Sequence, residues 1–197
     1  MMKRSWLVGP LVCILAVLLL SGCAPANGGL QTNGSGTVTE SVQKPAEQTQ
    51  NAAVETVPVK IYFGTHDGQY VVAETHMVKK DPLLLQRAME ILVAGPKNTG
   101  LIAVAPPGTK VKGVSVKDRT AYVDFSGEMI KRGFSSSSFG SSSMEILTVG
   151  AIVNTLTEFP EVERVQILVD GKKVSTLFGH LDVSDPLSRS QGLIKGK

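Results

Sequence analysis

Apolar and polar side chains change period several times along the chain, and each change marks an element. Over 58–64, Val59, Ile61 and Phe63 alternate with Lys60 and Tyr62, the period of a half-buried strand. The stretch QYVVAETHMV at 69–78 alternates more weakly and is placed to pair with the first strand across a turn at His66-Asp67-Gly68. The period then becomes helical. Leu85, Ala88, Met89 and Leu92 form one apolar stripe, Asp81 is a good N-cap, Pro82 suits the first helical position, and Gly95-Pro96 stops the helix. APPGTKV at 105–111 is a turn into a second strand pair. There Val114 and Val116 alternate with Ser115 and Lys117, and Ala121, Val123 and Phe125 alternate with Tyr122 and Asp124. The apolar register shifts at Gly113, which predicts a bulge.

A second helix follows a serine tract. Ser142 and Glu145 have the spacing of a capping box, and Ile146, Val149, Val153 and Leu156 form its predicted buried stripe. Gly150 lies on the same face. Glycine costs about 1 kcal/mol against alanine in a helix, so close packing against a strand is expected there. Pro160 ends the helix. Val165, Ile167 and Val169 then alternate with Arg164 and Gln166, and Asp170-Gly171 turns the chain back through Val174 to Leu177. The predicted order is β-β-α-β-β-α-β-β, an α+β fold with two helices packed on a mixed β-sheet. It forms a single compact domain over 58–188, followed by a flexible tail at 189–197. No internal repeat is present.

The N-terminal region has a different pattern. Lys3 and Arg4 precede an apolar run from Trp6 to Leu20. As a helix that run spans roughly 22 Å, short of the roughly 30 Å hydrocarbon core, so it fits a signal-peptide core at 1–22 better than a membrane span. The run ends in Leu20-Ser21-Gly22-Cys23, which resembles a bacterial lipobox. That resemblance implies lipid attachment at Cys23, with cleavage just before it. Two or more acyl chains anchor stably, because each buried methylene contributes ~0.8 kcal/mol and one chain alone is marginal. The only cysteines are Cys13 and Cys23. The expected mature domain therefore has no disulfide, thiol nucleophile or thiolate metal site. Residues 24–57 contain no aromatic residue and read as a disordered linker. Its root-mean-square span is roughly 32 Å, so it tethers the domain without holding it against the membrane.

The net charge of +3 shrinks when the signal is set aside: 18 basic residues remain against 17 acidic ones. No long Lys/Arg run is present, and nucleic acid is not an expected partner. Candidate chemistry is sparse. The tract FSSSSFGSSS at 134–143 has neither the strand-to-helix elbow of a serine nucleophile nor the glycines and lysine of a phosphate loop, and reads as a loop ending in an N-cap. His66, His76 and His180 belong to no H-x-x-x-H pattern, so no metal site is predicted. His66 falls in a turn, and His76 on the polar phase of a strand. His180 is the most interesting of the three, because pairing with Asp182 or Asp185 would order the C-terminal segment. Asp124 and Glu128 are the best carboxylate pair for glycoside cleavage, although Asp124 reads more simply as an exposed strand residue and Glu128 as a first-turn carboxylate.

Four segments together resemble the GerMN domain family of sporulation and spore germination. They are GAIVNTLTEFPEVERVQILVDGKKV at 150–174, GHLDVSDPL at 179–187, APPGTKV at 105–111 and TAYVDFSGE at 120–128. The resemblance covers about 58–188 and implies a secreted or membrane-attached envelope protein, often a lipoprotein, that is not an enzyme and needs no cofactor. Some relatives carry two copies of the domain where this chain carries one. A fold-level likeness to ring-building modules of secretion and sporulation complexes adds assembly as an expected role. The reading is a non-catalytic lipoprotein on the extracytoplasmic face of the cell membrane, binding envelope proteins or itself, with peptidoglycan as a further candidate partner. Two alternatives stand beside it. A cell-wall hydrolase requires a carboxylate pair or metal in one cleft. A small-ligand-binding lipoprotein requires a pocket, and the 5% aromatic content argues mildly against a sugar-stacking groove.

Overall fold

The computed structural model describes residues 55–131, 134 and 141–196. The signal segment, Cys23, most of the linker and serines 135–138 lie outside the described residues. Alternation produces the first hairpin as expected. Strand β1 (Thr56–Thr65) pairs antiparallel with β2 (Val71–Lys79), Thr56 opposite Lys79 and Gly64 opposite Val71. At His76 and Met77 the phase of β2 runs against their hydropathy. His76 stands opposite Val59 and is buried, whereas Met77, opposite Pro58, is 63% exposed. Residues directly opposite share a face, so the strong Val59-Ile61-Phe63 pattern of β1 chooses which side of β2 meets the core. A short strand β3 (Leu101–Ile102) adds to the other edge of β1.

Strands β4 (Val111–Lys117), β5 (Thr120–Phe125), β6 (Arg164–Val169) and β7 (Lys172–Lys173) form a second sheet in that order, and β8 (Leu187–Ser188) also pairs with β6. The α+β class is as expected, with the strands divided between two sheets: an antiparallel one of three strands and a mixed one of five. The mixed character comes from β5 and β6, which run parallel. Parallel neighbours need a long crossover, and the second helix lies within it. The bulge is present, since the β4–β5 register shifts between Val111 and Gly113. The Asp170-Gly171 turn has φ of 50° and 75°, the left-handed pair of a type I′ hairpin.

Helix α1 (Leu84–Ala94) buries Ala88, Met89 and Leu92 and begins slightly later than its sequence signals. Asp81 still serves its start: its carboxylate accepts the Leu83 N–H at 2.9 Å and its carbonyl accepts the Leu84 N–H at 3.0 Å. Helix α2 (Ser141–Leu156) departs further from expectation. Every residue from Met144 to Leu156 except Ile146 is buried, while Ile146, predicted in the buried stripe, is 46% exposed. A helix apolar on nearly all sides is a core helix, and α2 packs against β1, α1 and β6. One apolar core runs through the domain and includes Phe63, Met89, Phe125, Leu147, Ile152 and Ile167.

The predicted flexible tail is, over its described residues, packed on the domain. Leu193 lies against Gly150, where an added Cβ would come within 2.0 Å of its Cδ2. The Lys195 N–H donates to the Val71 carbonyl at 3.0 Å, and Ile194 bridges Val71 in parallel. Gly150 thus accommodates the C-terminal segment and not a strand.

Candidate functional site

Glu145 is the one ionisable side chain of α2. It is fully buried, yet it sits one turn into a helix whose neighbours are apolar. Its partners are four backbone N–H groups from the segment after β7. Oε1 accepts from Leu177 at 2.7 Å and Phe178 at 2.8 Å, and Oε2 accepts from His180 at 2.7 Å and Leu181 at 3.1 Å. Four N–H donors on one carboxylate compensate for its removal from water. The capping box expected from Ser142 and Glu145 is therefore absent, because the carboxylate turns to the 177–181 loop. A glutamate inside the run MEILTVGAIV was the available signal, since an unpartnered charge there would be costly to bury.

A second cluster fixes the chain further on. The Arg189 guanidinium donates to the Tyr62 hydroxyl at 2.7 Å, to the Asn154 carbonyl at 2.8 Å and to Thr157 Oγ1 at 3.1 Å, and it pairs with Glu158. Tyr62 also donates to Glu158 at 2.8 Å. Partial burial works against the charge of Glu158, but the Tyr62 hydroxyl and Arg189 outweigh it and hold this carboxyl below the usual glutamate range. Burial and the bond to Glu158 raise the Tyr62 phenol. The Asn154 side chain pairs both ways with the Ser190 backbone, at 3.1 and 2.9 Å. No local sequence pattern announces Arg189, because its partners are 31 to 127 residues away in the chain. Between α2 and this C-terminal segment lies a mainly apolar groove of about 250 Å³, lined by Ile146, Val149, Gly150, Val153, Leu181, Leu187 and Leu193 among others.

The residues singled out from sequence do not converge. Asp124 accepts the Gly171 N–H at 2.8 Å, which steadies the β6–β7 turn. Glu128 is exposed, in a 3₁₀ turn over Gly127–Ile130, and the Ser126 hydroxyl lowers its carboxyl. His180 meets Ser141 Oγ at 2.8 Å, while Asp182 accepts from Ser184, so the expected His–carboxylate pair does not form and Glu145 orders the segment instead. His66 meets the Thr99 carbonyl at 3.2 Å. His76, expected on the polar phase, is buried with its Nε2 2.7 Å from Glu74 Oε1. Burial opposes the charge of Glu74, but N–H groups of Asn98 and Lys97, together with His76, lower its carboxyl overall. Among the described residues no group of three or more His, Cys, Asp or Glu could hold a metal ion. Cys23 lies outside the described residues.

The sequence model of the Germane family, described as sporulation and spore germination, matches residues 60–175. The chain is similar to the spore germination protein GerM of Bacillus subtilis, with 28% identity over 219 aligned positions covering 98% of this chain and 57% of GerM. It therefore spans a little over half the length of that relative. The fold is similar to the first GerMN domain of B. subtilis GerM, at a TM-score of 0.56 and 30% identity, covering 68% of this chain and 98% of the domain. It is likewise similar to the tandem GerMN domains of GerM, at 0.56 and 29%, where it covers 46% of the two-domain chain. The chain is a member of the Germane family of sporulation and spore-germination proteins.

Proposed function

We propose that this is a non-catalytic envelope lipoprotein, anchored through Cys23, whose GerMN domain binds another envelope protein or a second copy of itself. The observation that carries the reading is Ile146. It stands 46% exposed on a helix otherwise buried from Met144 onward, at the rim of the apolar groove. A branched apolar side chain in that position gains free energy when a partner covers it, at about 25 cal/mol per Å² of apolar surface. The relatives support an envelope role in sporulation or germination, and the tandem arrangement in GerM supports association between two such domains. The acid–base candidates are held by separate local partners, which favours binding over hydrolysis as the activity.

The test is Ile146→Asp in the full-length protein. Cross-linking in membranes should lose the partner or self-association band, with the thermal melt unchanged. Hydrolysis of wall material by the wild type that vanishes in a folded Glu128→Gln or Asp124→Asn variant would replace this reading with the enzyme. For the anchor, Cys23→Ala should abolish acyl labelling and block normal maturation. A variant still processed and tightly bound would overturn the lipid attachment.

A further inference from the structure

The outer face of the second sheet carries a different feature, independent of the α2 groove. Gly113 stands opposite Asp124, and Ser115 opposite Tyr122, so these four share one face across β4 and β5. On β6, Leu168 stands beside Asp124 on the same face. Between them lies an open depression of about 240 Å³, lined also by Lys112 and Val114. Its floor is the bulge: a Cβ added at Gly113 would meet nothing within 4 Å. Bulges recur where a strand must re-aim side chains around a site.

Several polar groups here have no protein partner among the described residues. Asp124 uses Oδ1 for the Gly171 N–H, and no hydrogen bond engages its Oδ2 among the described residues. The hydroxyls of Ser115 and Tyr122 likewise have none there, and both residues reach solvent. Lys112 is held 3.1 Å from Asp170. The set therefore offers a free carboxylate oxygen, two hydroxyls, an ammonium already matched by a carboxylate, an aromatic ring and a leucine.

We propose that this depression binds a single neutral sugar ring of a glycan. Sugar hydroxyls both donate and accept, which matches a carboxylate, hydroxyls and an ammonium on one small surface. The apolar C–H faces of the ring suit Tyr122 and Leu168. An anion is disfavoured, because Lys112 is already paired with Asp170 and the carboxylate of Asp124 lines the depression. The volume is below the roughly 300–1,000 Å³ of a drug-sized pocket, so one ring fits and a long segment does not. Low aromatic content is no obstacle, since one tyrosine suffices for one ring.

The test is titration calorimetry of the full-length protein in a zwitterionic detergent without a sugar headgroup, using chitotetraose and cellotetraose as probes. Saturable binding of at least one is expected, with millimolar or tighter affinity. Gly113→Leu fills the depression at a φ open to any residue, and should weaken binding about tenfold or more, ~1.4 kcal/mol, with the melt unchanged. Tyr122→Ala should weaken it similarly, and Tyr122→Phe should retain most of it. No heat with either probe at millimolar concentration overturns the proposal. Equal binding by folded Gly113→Leu overturns it too, as does capture of polyglutamate alone with salt-dependent affinity.

Discussion

Glu145 is the side chain that holds the 177–181 loop after β7, through four backbone N–H groups. Glu145→Gln keeps its shape but turns an –NH₂ toward two of the four backbone donors. Each orphaned buried donor costs roughly 1–3 kcal/mol, so the variant should unfold at clearly lower denaturant concentration. Amide exchange at Leu177, Phe178, His180 and Leu181 should accelerate more than in the central strands. If exchange at those four amides kept pace with Val165 and Ile167, the carboxylate would not be what orders the loop. Glu158 gives a pH dependence of known sign. Its folded carboxyl titrates below the unfolded one, ordinarily near 4.5. The stability it contributes is fully present above that value and is lost as pH falls through the folded value. Thermal melts from pH 5 down to pH 3 should therefore fall more steeply for the wild type than for Glu158→Gln.

At the scale of elements, the contact of α2 with the C-terminal segment is set by the missing side chain at Gly150. Gly150→Ala gains about 1 kcal/mol of helix propensity but drives a methyl into Leu193. Leu193 is a side-chain end that can move, so the segment should lift while the helix stays. Faster exchange at Lys195, whose N–H is held by Val71, would report this. In the Leu193→Ala background the obstacle is gone, and Gly150→Ala should there be stabilising by about the propensity difference. The double-mutant cycle reads the contact directly. Additive effects would mean that the two residues do not constrain each other.

For the whole molecule, the two sheets and two helices share one core, so damage at its centre is felt throughout. Ile167 is 1% exposed, and Ile167→Ala should cost roughly 2–5 kcal/mol. Against a total of about 5–15 kcal/mol that is a large fraction, and melts followed by near- and far-ultraviolet dichroism should move together. The family match ends at residue 175, yet the domain continues to at least 195. A chain ending at 188 loses Arg189, Ser190 and Leu193 together. It should melt several degrees lower, at ~3–6 °C per kcal/mol for a domain of this size. An unchanged melting temperature would show that 189–196 adds nothing to stability.

The sequence by itself determined the order of the longer elements, without the two-residue strands β3 and β8, and also the β4 bulge, the Asp170-Gly171 turn and the apolar stripe of α1, because each follows from interactions within a few residues. Val59-Ile61-Phe63 and Val165-Ile167-Val169 alternate strongly enough to fix their own faces. Tertiary structure decided what depends on a neighbour distant in the chain. The phase of β2 was set by β1, which placed His76 inside and Met77 outside against their hydropathy. The second sheet became mixed because α2 carries the chain from β5 to β6 as a parallel neighbour. Ile146 was freed to solvent, although its spacing matched the buried stripe, because α2 is enclosed on its other sides. Glu145 satisfied a capping pattern within four residues, but four N–H donors more than thirty residues away hold its carboxylate in place of that cap. Arg189 became part of the domain for the same reason, as a guanidinium with several fixed partners across the fold, none of which its own sequence neighbours reveal.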